Sequence, residues 1–139
     1  MNWKRIASGA VGAAVIIFGI DFVVNEFLLK NLWAYLQFQG LVKSAAWYAI
    51  PLQILQSLGI GFFLIWFYAL VRPRFGPGPK TALLIGSIVA FLVYVPSSIN
   101  QWLWLQLPGS LSAYAVIAGF VECWIAAYVA GWQYIESAP

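Results

Sequence analysis

The sequence predicts an all-α polytopic membrane protein, a bundle of four transmembrane helices that forms one membrane domain. Of its 139 residues, 63% are hydrophobic and 8% are charged, whereas a soluble domain carries about 25% charged residues. Four apolar tracts each reach the length of about 20 residues that a helix needs to cross a bilayer. Lipid offers the backbone no hydrogen-bond partner, so each tract must be helical.

The four predicted spans follow one another along the chain. They cover residues 6–29, 48–71, 81–107 and 111–135. Lys4 and Arg5 before the first span imitate the start of a signal peptide. Because no A-x-A cleavage pattern follows, we expect an uncleaved first membrane helix.

A polar stretch at residues 72–80 divides the chain into two hydrophobic hairpins. Its three prolines and two glycines predict a loop between the second and third helices. Five basic residues lie on this side of the membrane and two, Lys30 and Lys43, on the other. The positive-inside rule therefore predicts that this loop and both termini are cytoplasmic.

The loop also contains candidate contacts for anions. Its Gly-Pro-Gly-Pro-Lys-Thr run precedes the third helix, where a helix N-terminus can bind an anion. Arg72, Arg74 and Lys80 are therefore candidate contacts for a lipid headgroup or another anion. The alternative is that these three charges only set the topology.

The outer connection, residues 30–47, is longer than a turn. Leu32, Tyr35 and Leu36 share one helical face, so a short amphipathic helix is expected at the membrane interface, ended by Gly40.

Several classes of site are excluded by composition. The chain has no histidine and one cysteine, Cys123, so neither an internal disulfide nor a conventional zinc or haem site is expected. No cofactor and no metal site are predicted. The chain has a net charge of only +3 and no basic stripe of the kind that binds nucleic acid, so nucleic-acid binding is not expected. No nucleophile or oxyanion site accompanies Asp21 and Glu122, two acidic residues within the predicted spans, so we predict no catalytic residue and no enzyme activity.

The fourth span has one face of small residues. At 100° per residue, the residues that share this face are Ala115, Gly119, Glu122, Ala126, Ala130 and Gln133. Small residues let another helix approach closely, so we expect this face, including Glu122, to pack against a neighbouring helix. The opposite face, directed to lipid or a partner, contains Ile117, Phe120, Trp124 and Tyr128.

The polar residues within the spans gather in the outer half of the bundle. Asp21 is about 12 Å and Glu122 roughly 16 Å below the outer ends of their spans, at 1.5 Å per residue. The candidate pocket residues are Asp21, Asn25, Gln53, Gln56, Ser97, Asn100, Gln101 and Glu122. No basic residue lies in any span, and an unpaired carboxylate at such depth costs several kcal/mol. Two interpretations stay open: a pocket for a small ligand, ion or proton, or a hydrogen-bond cluster that fixes helix register.

Two weak similarities within the chain indicate a possible duplication of a helical hairpin. Residues 25–28 match residues 100–103, and Gly61-Phe62 with Trp66 matches Gly119-Phe120 with Trp124. Both hairpins start on the same side, so the repeats would be parallel. Chance similarity in a biased composition is the alternative.

The tract Gly76-Pro-Gly-Pro-Lys-Thr-Ala-Leu83, with the start Met1-Asn-Trp-Lys-Arg5 and the ending Ala130-Gly-Trp132, resembles a family of small bacterial four-helix inner-membrane proteins without an assigned activity. The resemblance implies four helices and a bacterial membrane. It carries no functional residue over to this chain.

The small-residue and aromatic faces favour a non-enzymatic accessory or structural subunit, which associates with itself or with a larger membrane complex. The alternative is a small transporter or ligand-binding membrane protein that uses the polar pocket. Non-protein density in the outer half would favour the alternative, and solid packing there the accessory role.

Overall fold

A computed structural model describes residues 2–43, 46–105 and 107–134. It contains five α-helices: α1 (Trp3–Val23), α2 (Lys30–Phe38), α3 (Ala49–Phe75), α4 (Pro79–Trp104) and α5 (Gly109–Gln133). A π-helical turn, Val24–Leu28, extends α1. Four of these elements, α1 with its π-helical extension, α3, α4 and α5, are long and apolar enough to span a membrane. The prediction of an all-α four-helix membrane bundle is confirmed.

The helices pack as two pairs joined side by side. The most extensive contacts are between α1 and α3 and between α4 and α5, while α5 also packs against α1, and α3 against both α4 and α5. Both termini of the described chain and the α3–α4 linker lie at one end of the bundle, here called the linker end. The opposite end, which carries α2, is the α2 end.

Glycines let the paired helices approach to backbone contact. A Cβ at Gly61 of α3 would lie 2.5 Å from the carbonyl oxygen of Ala10 in α1. A Cβ at Gly86 of α4 would lie 2.8 Å from the carbonyl oxygen of Cys123 in α5. Small residues at helix crossings permit this close packing, so these two glycines determine how near the helices of each pair can lie.

The small-residue face of α5 is turned inward, as its spacing predicts. Gly119, Glu122, Ala126 and Ala130 are buried, whereas Ile117 on the opposite face is exposed. The same packing continues towards the linker end, where apolar side chains from the four long helices form the main core. The polar half of the bundle therefore lies at the α2 end.

The predicted loop at residues 72–80 is shorter than expected. Helix α3 continues through Pro73 to Phe75, and α4 starts at Pro79, which leaves only residues 76–78 as a linker. A proline in the last turn of a helix removes one hydrogen bond without ending the helix. The helix ends at Gly76, whose φ of 79° is accessible to glycine at little cost.

Helix α2 forms at the predicted place, and the three residues predicted to share one of its faces differ in burial. Leu36 is buried and Leu32 packs beside it, whereas Tyr35 is exposed. Residues 44 and 45 of the predicted outer segment lie outside the described residues, as do residue 106 of the third predicted span and residue 135 of the fourth.

Candidate functional site

A polar cavity of about 430 Å³ opens between the helices at the α2 end. Its walls come from α1 and its π-helical extension, α3, α4 and α5. The lining residues are Asp21, Asn25, Ala49, Leu52, Gln53, Gln56, Val93, Tyr94, Ser97, Ser98, Gln101 and Ala115. This volume is within the range of about 300–1,000 Å³ usual for small-molecule sites.

The structure brings most of the predicted pocket residues together. Six line the cavity: Asp21, Asn25, Gln53, Gln56, Ser97 and Gln101. Asn100 does not line it, and its side chain is exposed on another face of α4. Glu122 is also absent from the wall, because its side chain lies deeper in the bundle, behind residues that line the cavity.

Sequence reasoning did not identify Tyr94 as a member of the site, and Ser98 was not among the candidates. Both line the cavity beside Ser97 and Gln101. The four residues have the spacing i, i+3, i+4 and i+7, which places them on one face of α4. Helical spacing in the sequence could therefore have identified Tyr94 as a member of this face, and the same spacing places Asn100 on a different face.

Glu122 is fully buried, with 0% of its surface exposed. Its Oε1 accepts a hydrogen bond from the Tyr94 hydroxyl group. Its Oε2 has no hydrogen bond of ordinary geometry from any described residue, although the Asp21 carboxyl group lies close enough to interact with the Glu122 side chain. Glu122 therefore adjoins the cavity through two residues of its wall, Tyr94 and Asp21.

The Tyr94 ring has its position because α5 carries a glycine beside it. A Cβ at Gly119 would lie 2.8 Å from Cδ1 of Tyr94, which is closer than van der Waals contact. The ring thus packs directly against the α5 backbone, one turn before Glu122. Gly119 and Tyr94 together hold the hydroxyl group at the carboxylate.

Asp21 is half-buried in the wall, where it interacts with the side chain of Gln53 from α3 and with Glu122 from α5. No lysine or arginine is among the described residues that line the cavity. A carboxyl group within a bilayer-spanning helix must be paired, hydrated or protonated. Gln53 supplies an amide group to Asp21, and no described basic side chain in the lining supplies a positive charge.

Helix α2 is attached to the cavity through Asn25. The Trp33 indole Nε1 donates a hydrogen bond of 2.9 Å to Asn25 Oδ1, and Asn25 Nδ2 donates one of 2.8 Å to the carbonyl oxygen of Asp21. Asn25 belongs to the π-helical turn, and such turns occur frequently at functional sites. Helix α2 is thus linked by hydrogen bonds to one wall of the cavity.

Beneath the cavity the bundle is closely packed. Ala13, Leu64, Ile65, Ala90 and Ala126 have none of their surface exposed. They come from the four long helices and belong to the main apolar core. In this conformation the core closes the cavity towards the linker end.

The three candidate anion contacts do not form one group. Arg72 lines a second cavity of about 280 Å³ at the linker end, and its guanidinium carbon lies 5.5 Å from the centroid of the Tyr134 ring, in the range of a cation–π contact. Arg74 and Lys80 are exposed and do not line this cavity. The structure thus separates Arg72 from the two surface charges.

The described residues contain no cluster of three or more histidine, cysteine, aspartate or glutamate side chains that could hold a metal ion. The polar cavity offers carboxylate, amide and hydroxyl groups, which can bind a polar solute by hydrogen bonds and charge. Comparison with protein-family models, curated proteins and solved structures finds no match to this chain.

Proposed function

We propose that this integral membrane protein binds a small polar solute in the cavity at the α2 end, as a small transporter or ligand-binding protein. The observation that carries the proposal is the polar cavity itself, about 430 Å³ in volume and lined by six of the residues predicted from sequence. Its polar groups come from α1 with its π-helical extension, α3 and α4, and they converge on a space large enough for a small molecule.

The cavity supports binding over a purely structural role of the polar residues. A hydrogen-bond cluster that only fixes helix register would bring these side chains together between the helices. Instead they surround an opening whose rim includes the exposed residues Gln56 and Ser97. Polar side chains that line an opening within a bundle are typical of a solute site.

The proposed orientation places the α2 end outside the cell and both termini in the cytoplasm. It is supported by the five-to-two distribution of basic residues between the two sides. The resemblance of the Gly76–Leu83 tract to small bacterial inner-membrane proteins supports a bacterial inner membrane. The cavity would then take its solute from the outside.

The closed core beneath the cavity defines what this conformation can do. Leu64, Ala90 and Ala126 are fully buried in this core. A solute can therefore enter the cavity from the α2 end but cannot pass on to the linker end. Binding needs no further change, whereas transport requires a second conformation in which the core opens. The proposed role is non-enzymatic in either case.

Filling the cavity tests the proposal. Ala115 is the cavity-lining residue from α5, so Ala115→Trp should occlude it. Ala118→Trp is the matched control, because Ala118 lies on the same helix and lines a different, apolar groove. We expect at least one class of small polar solute to raise the thermal midpoint of the wild type and of Ala118→Trp, but not of Ala115→Trp.

The solutes to be compared are amines, amino acids, amides and polyols, each added to protein in mild detergent. A stabilising solute that acts equally on Ala115→Trp would contradict the proposal, as would the absence of stabilisation by every class.

A second candidate function is an accessory or structural subunit that associates with itself or with a larger membrane complex. The supporting observation is a partly uncovered face of α1: Ser8 and Gly19 are exposed, and no atom lies within 4 Å of a Cβ built at Gly19, although Gly12 between them packs against Gln133 of α5. Such a face permits close approach of another helix. The mass in native-membrane particles tests this candidate, and a lone monomer would count against it.

A further inference from the structure

The polar cavity has a carboxyl group in its lining but no basic side chain among the described lining residues. Asp21 lies in the wall, Glu122 lies directly behind it, and no described lysine or arginine lines the site. Burial of negative charge without a counter-charge is costly in a membrane. A positively charged ligand would supply the missing partner.

The second carboxyl group, that of Glu122, adjoins the same site. Glu122 is fully buried, and its Oε2 has no hydrogen-bond donor of ordinary geometry among the described residues. Buried polar atoms in folded proteins nearly always have a partner. Beside Tyr94, the group available to Glu122 is the Asp21 carboxyl group, so the two acidic side chains form one cluster at the wall of the cavity.

The size of the cavity favours an organic cation over a bare metal ion. A volume of about 430 Å³ greatly exceeds the space of a single ion, and no group of three acidic or other metal-binding side chains is present among the described residues. Amide and hydroxyl groups on three helices can accept hydrogen bonds from an ammonium group. The Tyr94 ring adds an aromatic surface, which cations also favour.

We propose that the ligand of the polar cavity is a small protonated amine, whose ammonium group binds the Asp21 carboxylate while its organic part occupies the space towards Gln56 and Ser97. This inference rests on the proposed binding function and adds the chemical class of the ligand. In this arrangement Asp21 is the direct partner. Glu122, held by Tyr94, adjoins Asp21 and helps to position it.

Two probes that differ only in charge provide the test. Phenethylamine is protonated at neutral pH, and 2-phenylethanol is its neutral counterpart of the same size and shape. We expect saturable binding of phenethylamine to the purified protein in detergent, measured by calorimetry, and binding of 2-phenylethanol at least about ten-fold weaker, since charge-assisted hydrogen bonds are the stronger ones.

Asp21→Asn removes the charge and keeps the shape of the side chain. We expect it to weaken phenethylamine binding by about 10- to 100-fold, the range for losing a hydrogen bond to a charged group. Glu26→Gln is the matched control, because Glu26 is exposed on the same helical segment and does not line the cavity. It removes the same net charge and should leave binding unchanged.

A second variant keeps Asp21, so that loss of binding does not depend on whether Asp21→Asn folds. Ser97 is exposed at the rim, and Ser97→Lys would place a tethered ammonium group in the cavity, so it should abolish phenethylamine binding while the protein stays folded. Equal binding of both probes, lost in Ala115→Trp, would overturn the cationic ligand but leave the solute site standing. Saturable binding of sodium or potassium without binding of the amine would likewise overturn the proposal.

Discussion

Gly61→Ala should push α1 and α3 slightly apart and so lower the stability of the whole bundle. The added Cβ would lie 2.5 Å from the Ala10 carbonyl oxygen and 3.0 Å from the Ala14 backbone nitrogen. Both atoms belong to the backbone of α1, so neither can turn away as a side chain would. To reach an ordinary contact distance of 3.4 Å, the two helices must move apart by roughly 1 Å.

The cost of this movement follows from the packing around it. A gap of about 0.5–1 Å forfeits a quarter to a half of the dispersion attraction between the atoms that face it, and the α1–α3 contact is among the two most extensive in the bundle. Overpacking costs about 1–3 kcal/mol, against a gain of about 1 kcal/mol in helix propensity. With the lost packing, we expect a net loss of about 2 kcal/mol, or roughly 30-fold in the folded-to-unfolded ratio.

The matched control is Gly59→Ala, two residues earlier in the same helix. No atom lies within 4 Å of a Cβ at Gly59, so this variant should be as stable as the wild type or up to about 1 kcal/mol more stable. Reversible unfolding in mixed micelles or bicelles measures both variants. If Gly61→Ala is as stable as Gly59→Ala, the close approach of α1 and α3 is wrong.

Three further predictions concern the site and the orientation of the chain. In a Cys123→Ala background, a cysteine at Pro77 should resist a membrane-impermeant thiol reagent added to whole cells, whereas a cysteine at Gln39 reacts; the opposite result would invert the topology. Tyr94→Phe should lower the free energy of unfolding by about 1–3 kcal/mol, because Glu122 Oε1 is left buried without its donor, and an unchanged unfolding curve would refute that bond. Glu122→Gln should keep the fold in detergent, since an amide also donates and accepts, while Glu122→Leu should destabilise it; equal stability of the two variants would show that Glu122 has no polar partner.

Composition and spacing determined the fold class and most of the site. The four spans follow from tract length and hydropathy, because lipid permits little else for an apolar chain of this length. The inward position of Glu122 follows from its place among small residues at helical spacing. The convergence of Asp21 with Gln53 follows from their similar depth in neighbouring helices.

The features that sequence reasoning missed depend on geometry that composition does not encode. Prolines and glycines at residues 72–80 predicted a long loop, but Pro73 fits in the last turn of α3. The helical backbone is therefore interrupted only around the two glycines with positive φ, Gly76 and Gly78. Asn100 was included for its polarity, although the spacing that places Tyr94 in the wall excludes it. The π-helical turn that holds Asn25 was not predicted, and neither was the hydrogen bond from Trp33 of α2 to Asn25, which requires α2 to fold back onto this turn.

Access of water to the cavity tests the central claim most directly. Gln53 and Ile54 are neighbours in α3 at nearly the same depth; Gln53 lines the cavity, whereas Ile54 is exposed on the outer surface of the bundle. With Cys123 replaced by alanine, a single cysteine at either position can be exposed to a charged, membrane-impermeant thiol reagent in intact cells. The cavity predicts that the cysteine at position 53 reacts from outside and that Ala115→Trp suppresses this reaction, while the cysteine at position 54 stays unmodified in lipid. Reaction at position 54 with none at position 53 would contradict a water-filled polar cavity at this end of the bundle.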